Sequence, residues 1–153
     1  MSDPTCSMHK LIADVAIFSG SNVALVRYSS GYDRQTGWFL PDDELKHLEH
    51  PDDAARRILA GQLGLSGVTA RLDHIESFTG NDGSWHLVFH FVTEIDEQNT
   101  LTPSSDLANF SWFPVAALPE RRDVAHHGWA LGVIQTILAH QSKTGKPILD
   151  ATG

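Results

Sequence analysis

The chain is poor in cysteine, in positive charge and in long apolar runs. Its single cysteine, Cys6, cannot form an internal disulfide. The opening MSDPTCSMHK carries an early acid and no apolar stretch, unlike a secretory signal. Both features lead to the expectation of a cytoplasmic protein. Lys and Arg number 11 against 19 Asp and Glu, for a formal net charge of -8. That balance argues against a broad phosphate-backbone footprint, so no nucleic-acid partner is expected. No run reaches membrane-spanning length, so none with a membrane is expected either. The nucleophile-elbow pattern G-x-S-x-G, the phosphate loop and the dinucleotide fingerprint are all missing. So are internal repeats and low-complexity tracts. With 153 residues, a single domain is the default.

What is present is an ordered alternation. LIADVAIF (11–18) and VALVRY (23–28) predict two strands joined at SGSN. A polar loop, SSGYDRQTG, leads to WFLP, a short strand stub closed by Pro41. Residues 51–63 predict a helix. Pro51 suits its first position, Asp52 and Asp53 suit the positive end of its dipole, and Gly64 is a good stop. Helical periodicity gathers Ala55, Ile58, Leu59, Gln62 and Leu63 on one side. Gly61 inside the helix costs about 1 kcal/mol relative to Ala.

Residues 68–79 and 84–94 flank GNDG and predict a hairpin. In its second strand Trp85, Leu87, Phe89 and Phe91 take one face, and His86, Val88, His90 and Val92 the other. LANFSWFPV predicts another strand, and residues 123–141 a C-terminal helix with Asp123 as N-cap. The expected layout is a flexible N-terminus (1–9), one domain (10–141) and a loose tail (142–153). The natural packing is a mixed sheet between helices, of α/β (α+β) class.

The stretch LPDDELKHLEHPDDAARRILAGQLGL and its flanks resemble the Nudix family. The family's signature is G-x5-E-x7-R-E-U-x-E-E-x-G-U, where U is bulky and aliphatic. Anchored on Arg57, it places Asp43 at the first glycine and Glu49 at the first glutamate. Ile58 stands where the next glutamate would be, Gly61 and Gln62 replace the glutamate pair, and Gly64 and Leu65 match the close. WFLP upstream and SDLANFSWFPVAALPE downstream are also similar to the family's pattern. The resemblance covers residues 10–140 and implies the Nudix fold.

It also implies cleavage of a diphosphate linked to another group, with Mg²⁺ or Mn²⁺ held by hard oxygen ligands. Positions 58, 61 and 62 fall within an arc of roughly 100° on a helix. Here that arc carries an aliphatic chain, no side chain and a neutral amide. The expected function is therefore a Nudix-superfamily protein with a degraded metal box. It would bind a nucleoside-diphosphate-like or other small ligand with weak or no pyrophosphohydrolase activity. Gln62 would line the cleft. The alternative is an active metal-dependent hydrolase with relocated ligands Glu44, Glu49 and Asp106. Glu49, Arg57 and Asp106 are then the catalytic candidates, Arg57 pairing with Glu49 to orient the loop, and Glu44 and Glu49 the metal candidates. A second alternative is an interaction module, since four Trp and seven Phe could supply a homodimer interface.

The nine histidines show no zinc spacing. HLEH lacks the one-turn separation of H-E-x-x-H. His86 and His90 lie about 13 Å apart on one strand face, too far to share an ion. Beside Trp85 they could hydrogen-bond a ligand instead.

Overall fold

The computed structural model describes residues 9–29, 36–80, 83–96 and 101–144. Cys6, most of the SSGYDRQTG loop, the GNDG tip and the far tail lie outside the described residues. The elements are β1 (His9–Ser19), β2 (Asn22–Tyr28), β3 (Asp42–Glu44), α1 (Pro51–Leu63), β4 (Arg71–Thr79), β5 (Trp85–Glu94), β6 (Leu107–Pro114) and α2 (Ala125–Thr144).

The strands form one sheet in the order β4-β5-β1-β2-β6, with β3 added beside β1. β1 and β5 run parallel from His9 to Phe18, and every other pair is antiparallel. A strand covered on both faces must be apolar on both, which is why LIADVAIF shows no polar alternation. Ala13, Val15 and Ile17 pack with Ala24, Val26 and Phe91 under Ala55, Ile58, Leu59 and Leu63 of α1. Ala16 and Phe18 pack with Val23, Leu25 and Val92 under Val133, Ile134 and Ile137 of α2. The protein is thus of α+β class, a mixed sheet held between two helices. No helix among the described residues is long and apolar enough to cross a membrane.

Helix α1 spans the residues its sequence signals mark. Its cap is His50, whose Nδ1 accepts from the Asp52 N–H at 3.1 Å. At the other end Gly64 is left-handed (φ 68°), and the N–H of Leu65 reaches back to the Leu59 carbonyl. A Cβ on Gly64 would lie 2.9 Å from Thr102 Cβ. Gly64→Ala therefore meets both a disfavoured dihedral and a contact, and should cost about 1–3 kcal/mol. Thermal unfolding should show Tm lower by about 2–12 °C. An unchanged Tm would mean that the loop at Thr102 does not close on the helix end.

Three local expectations are corrected. The stub at WFLP makes only isolated bridges, Phe39 with Val26 and Trp38 with Val124. Regular pairing begins after Pro41, which has no N–H but accepts from Val15 through its carbonyl. Asp123 does not cap the last helix. It ends a short 3-10 turn (Arg121–Asp123). Its carbonyl accepts from the Trp38 N–H, and Ala125 donates to the Trp38 carbonyl, so Val124 is held extended beside Trp38. His126, His127 and Gly128 then turn left-handed, with φ of 54°, 58° and 86°, before the right-handed helix proceeds. Arg121 steadies this turn by donating to the His127 carbonyl at 2.7 Å. The helix runs through Thr144, past the expected end at residue 141.

Candidate functional site

β1 pairs with β2 only at Phe18 and Ser19, and with β3 at Ile12–Asp14. The two long strands therefore part, and the segment around Asp42 enters the gap. A cleft of about 240 Å³ opens there, lined by Tyr28, Ser29, Asp42, Asp43, Gln62, Ser105 and Asp106. Backbone bonds fix its far wall: Ser104 donates to the Gln62 carbonyl, Thr102 to the Leu63 carbonyl and Ser29 to the Asp106 carbonyl. They hold Asp106 across the cleft from the helix.

Gln62 sits in a closed ring of hydrogen bonds. The Asp42 N–H donates to the Tyr28 hydroxyl (2.9 Å), which donates to Gln62 Oε1 (2.9 Å). Gln62 Nε2 donates to the Asp42 carbonyl (2.9 Å), closing the circuit. An amide is the group this ring needs, because it supplies an acceptor and a donor together. A carboxylate would set acceptor against acceptor at Asp42.

Arg57 faces the other side of the same loop. Its Nε and Nη2 fork onto Glu49 at 2.9 Å each, Nη1 reaches Asp43 at 2.7 Å, and Nη2 also donates to the Glu44 carbonyl. Glu49 further accepts from the Lys46 N–H. The guanidinium holds the Glu49 carboxyl down to about 2, against a smaller opposing effect of burial. The same pairing raises Arg57 above its ordinary value.

The sequence candidates fall into separate places. Gln62 and Asp106 share the cleft. Arg57 and Glu49 pair with each other in the loop before α1, and Glu44 is exposed beside them. His86 and His90 lie on the α2 side of the sheet, away from that cleft. His86 shares a hydrogen bond with Ser84. His90 is wholly buried between Asp14 (2.7 Å) and Glu76 (2.6 Å). Burial alone would lower His90, but these two carboxylates outweigh it and its pKa is raised. Burial raises Asp14, and His90 only partly offsets it. Tyr28, Ser29 and Ser105 are cleft residues that no motif marks. Their one signal is a polar cluster where an apolar strand ends.

The NUDIX domain family profile matches residues 8–131, most of the chain. The chain belongs to the Nudix family. Several solved structures share its fold. A MutT/nudix family protein from Enterococcus faecalis is 16% identical, with a TM-score of 0.72 over 88% of this chain and 62% of that one. This chain thus spans less than two thirds of that protein's length. A C. elegans Ap4A hydrolase, solved as a binary complex, is 13% identical, with a TM-score of 0.69 over 88% of this chain and 98% of that one. The Nudix hydrolase RenU from M. smegmatis is 17% identical, with a TM-score of 0.62 over 93% of this chain and 88% of that one. At such identities the likeness concerns the fold. A search of curated proteins finds no significant match.

Family membership implies a divalent metal, and the box residues present do not fit one. Ile58 is 1% exposed within the core, so its position faces packing rather than the cleft. Gly61 is exposed, with open space where a Cβ would stand. The Gln62 oxygen is taken by Tyr28. Among the described residues, the groupings close enough to share an ion do not include the cleft carboxylates Asp42, Asp43 and Asp106.

Proposed function

We propose that this Nudix-fold protein binds a small nucleotide-like ligand in the cleft between Tyr28, Gln62 and Asp106 and hydrolyses diphosphates weakly or not at all. The observation that carries this reading is the Tyr28–Gln62–Asp42 ring. It occupies the one polar side chain among box positions 58, 61 and 62. Among the described residues the cleft lining is hydroxyl, carboxylate and the Gln62 amide, with no Lys or Arg. Such a lining accepts hydrogen bonds from sugar hydroxyls, while a diphosphate would have to bring its own counter-cation.

A screen of diphosphate-containing compounds, reading melting temperature and phosphate release together with Mg²⁺ and with Mn²⁺, tests the reading. The expected result is a melting shift with some members and little or no turnover. Tyr28→Phe should weaken that shift, because it opens the ring that sets Gln62. Rapid metal-dependent turnover, lost in Asp106→Asn, would instead favour the relocated-ligand hydrolase. That second reading uses Glu44, Glu49 and Asp106 as ligands, and of these Asp106 lines the cleft.

A further inference from the structure

A second cluster lies on the opposite side of the sheet, where α2 covers β4 and β5. A regular strand sends successive side chains to opposite faces. The register of β4 against β5 shifts between Leu72 and His74. Such an irregularity lets two neighbours share a face. The side chains of Asp73 (6% exposed) and His74 (17% exposed) accordingly both reach His140 on α2. One oxygen, Asp73 Oδ2, meets His74 Nδ1 at 2.6 Å and His140 Nδ1 at 2.8 Å. The His74 ring lies 4.5 Å from that of His90, which Asp14 and Glu76 clasp from both sides. His74, Glu76 and His90 form a second close trio sharing His74 with the first.

This is a costly way to cover a sheet. Apolar residues of similar volume would pack there without desolvating carboxylates and imidazoles. Ligand-capable atoms gathered from two elements have a use that simple packing does not.

We propose that Asp73, His74 and His140 bind a borderline transition-metal ion of the zinc class, pinning the end of α2 to the edge strand β4. The ligand atoms of the three lie within 4.8 Å of one another. A tetrahedral ion with bonds of about 2.0–2.1 Å needs ligand atoms about 3.3 Å apart. The two nitrogens therefore move out from Asp73 by about 0.5–0.7 Å, and the ion replaces the protons that join them to it. Two imidazoles and one carboxylate suit zinc, cobalt or nickel rather than magnesium. His140, 41% exposed on its side chain, gives the ion an entry, and water completes the coordination. The clasped His90 ring braces His74. This site is separate from the cleft around Gln62 and does not depend on its ligand.

The test uses the full chain, stripped with a chelator and dialysed, then titrated with Zn²⁺ by calorimetry and with Co²⁺ by visible absorption. One ion per chain is expected, with the strong visible bands of low-coordinate Co²⁺ and a raised melting temperature. His140→Ala, a change at the surface, should weaken binding by at least about tenfold and remove the bands. His127→Ala, an exposed histidine at the other end of α2, should leave both unchanged. Absence of Co²⁺ bands in the wild type, or binding that survives His140→Ala, overturns the proposal.

Discussion

Ile58→Glu should cost about 4 kcal/mol or more, a large share of the roughly 5–15 kcal/mol that holds a domain. Ile58 is 1% exposed and packed in the α1 core. Removing it forfeits about 2–5 kcal/mol of packing. The carboxyl that replaces it has no partner and stays protonated near neutral pH, because burial disfavours its charged form. Urea unfolding should show the loss, and a change below about 1 kcal/mol would mean that position 58 faces the cleft after all. The neighbouring box positions behave differently. Gly61→Glu has open space and gains up to about 1 kcal/mol in helix propensity. Gln62→Glu breaks the ring at the Asp42 carbonyl and costs about 1–3 kcal/mol. The double variant should therefore be slightly destabilised alone, yet stabilised by millimolar Mn²⁺, since an ion that binds only the folded state raises stability by mass action. Wild type should shift much less. Equal shifts would place the ion away from this helix face.

The frame of this protein could be read from its residues because burial leaves a periodic trace. The two-faced run of β1, the Pro51 and Gly64 signals of α1 and the spacing around Arg57 each follow from one local rule. The errors fall where a distant partner decides. Asp123 has the chemistry of an N-cap, but Trp38 takes its carbonyl, and no nearby residue announces that. His126 and His127 look helical in sequence and turn left-handed because the bridge to Trp38 fixes their entry. The site divides in the same way. Gln62 and Asp106 could be picked out as polar residues at motif positions, and both line the cleft. Tyr28 could not, because its importance lies in a hydroxyl 34 residues from the amide it meets. The Asp73–His74–His140 group depends on a strand irregularity and a helix 67 residues away, and no spacing rule reaches that far.

Arg57→Met should lower stability at neutral pH by about 2–3 kcal/mol, because it strands carboxylates that one guanidinium now satisfies. The Arg57 side chain is 26% exposed and that of Glu49 only 14%, so water cannot replace the fork in full. The pH dependence is the sharper readout. Glu49 lies at about 2 in the folded chain against 4.5 ordinarily, chiefly through the Arg57 hydrogen bonds. Between those values the unfolded chain binds the proton and the folded chain does not. Stability therefore rises with pH across that window. The contribution is complete above about pH 4.5 and is lost as the pH falls toward about 2. Wild type should lose stability across this range by about one proton more than Glu49→Gln, and Arg57→Met should be as shallow as Glu49→Gln. Arg57→Lys should fall between, since an ammonium keeps the charge without the paired donors. Urea midpoints at stepped pH would measure all four chains. If wild type and Arg57→Met decline with the same slope, the clamp does not form in solution. Glu49 would then be a free loop carboxylate, and the relocated-ligand hydrolase would regain one of its metal ligands.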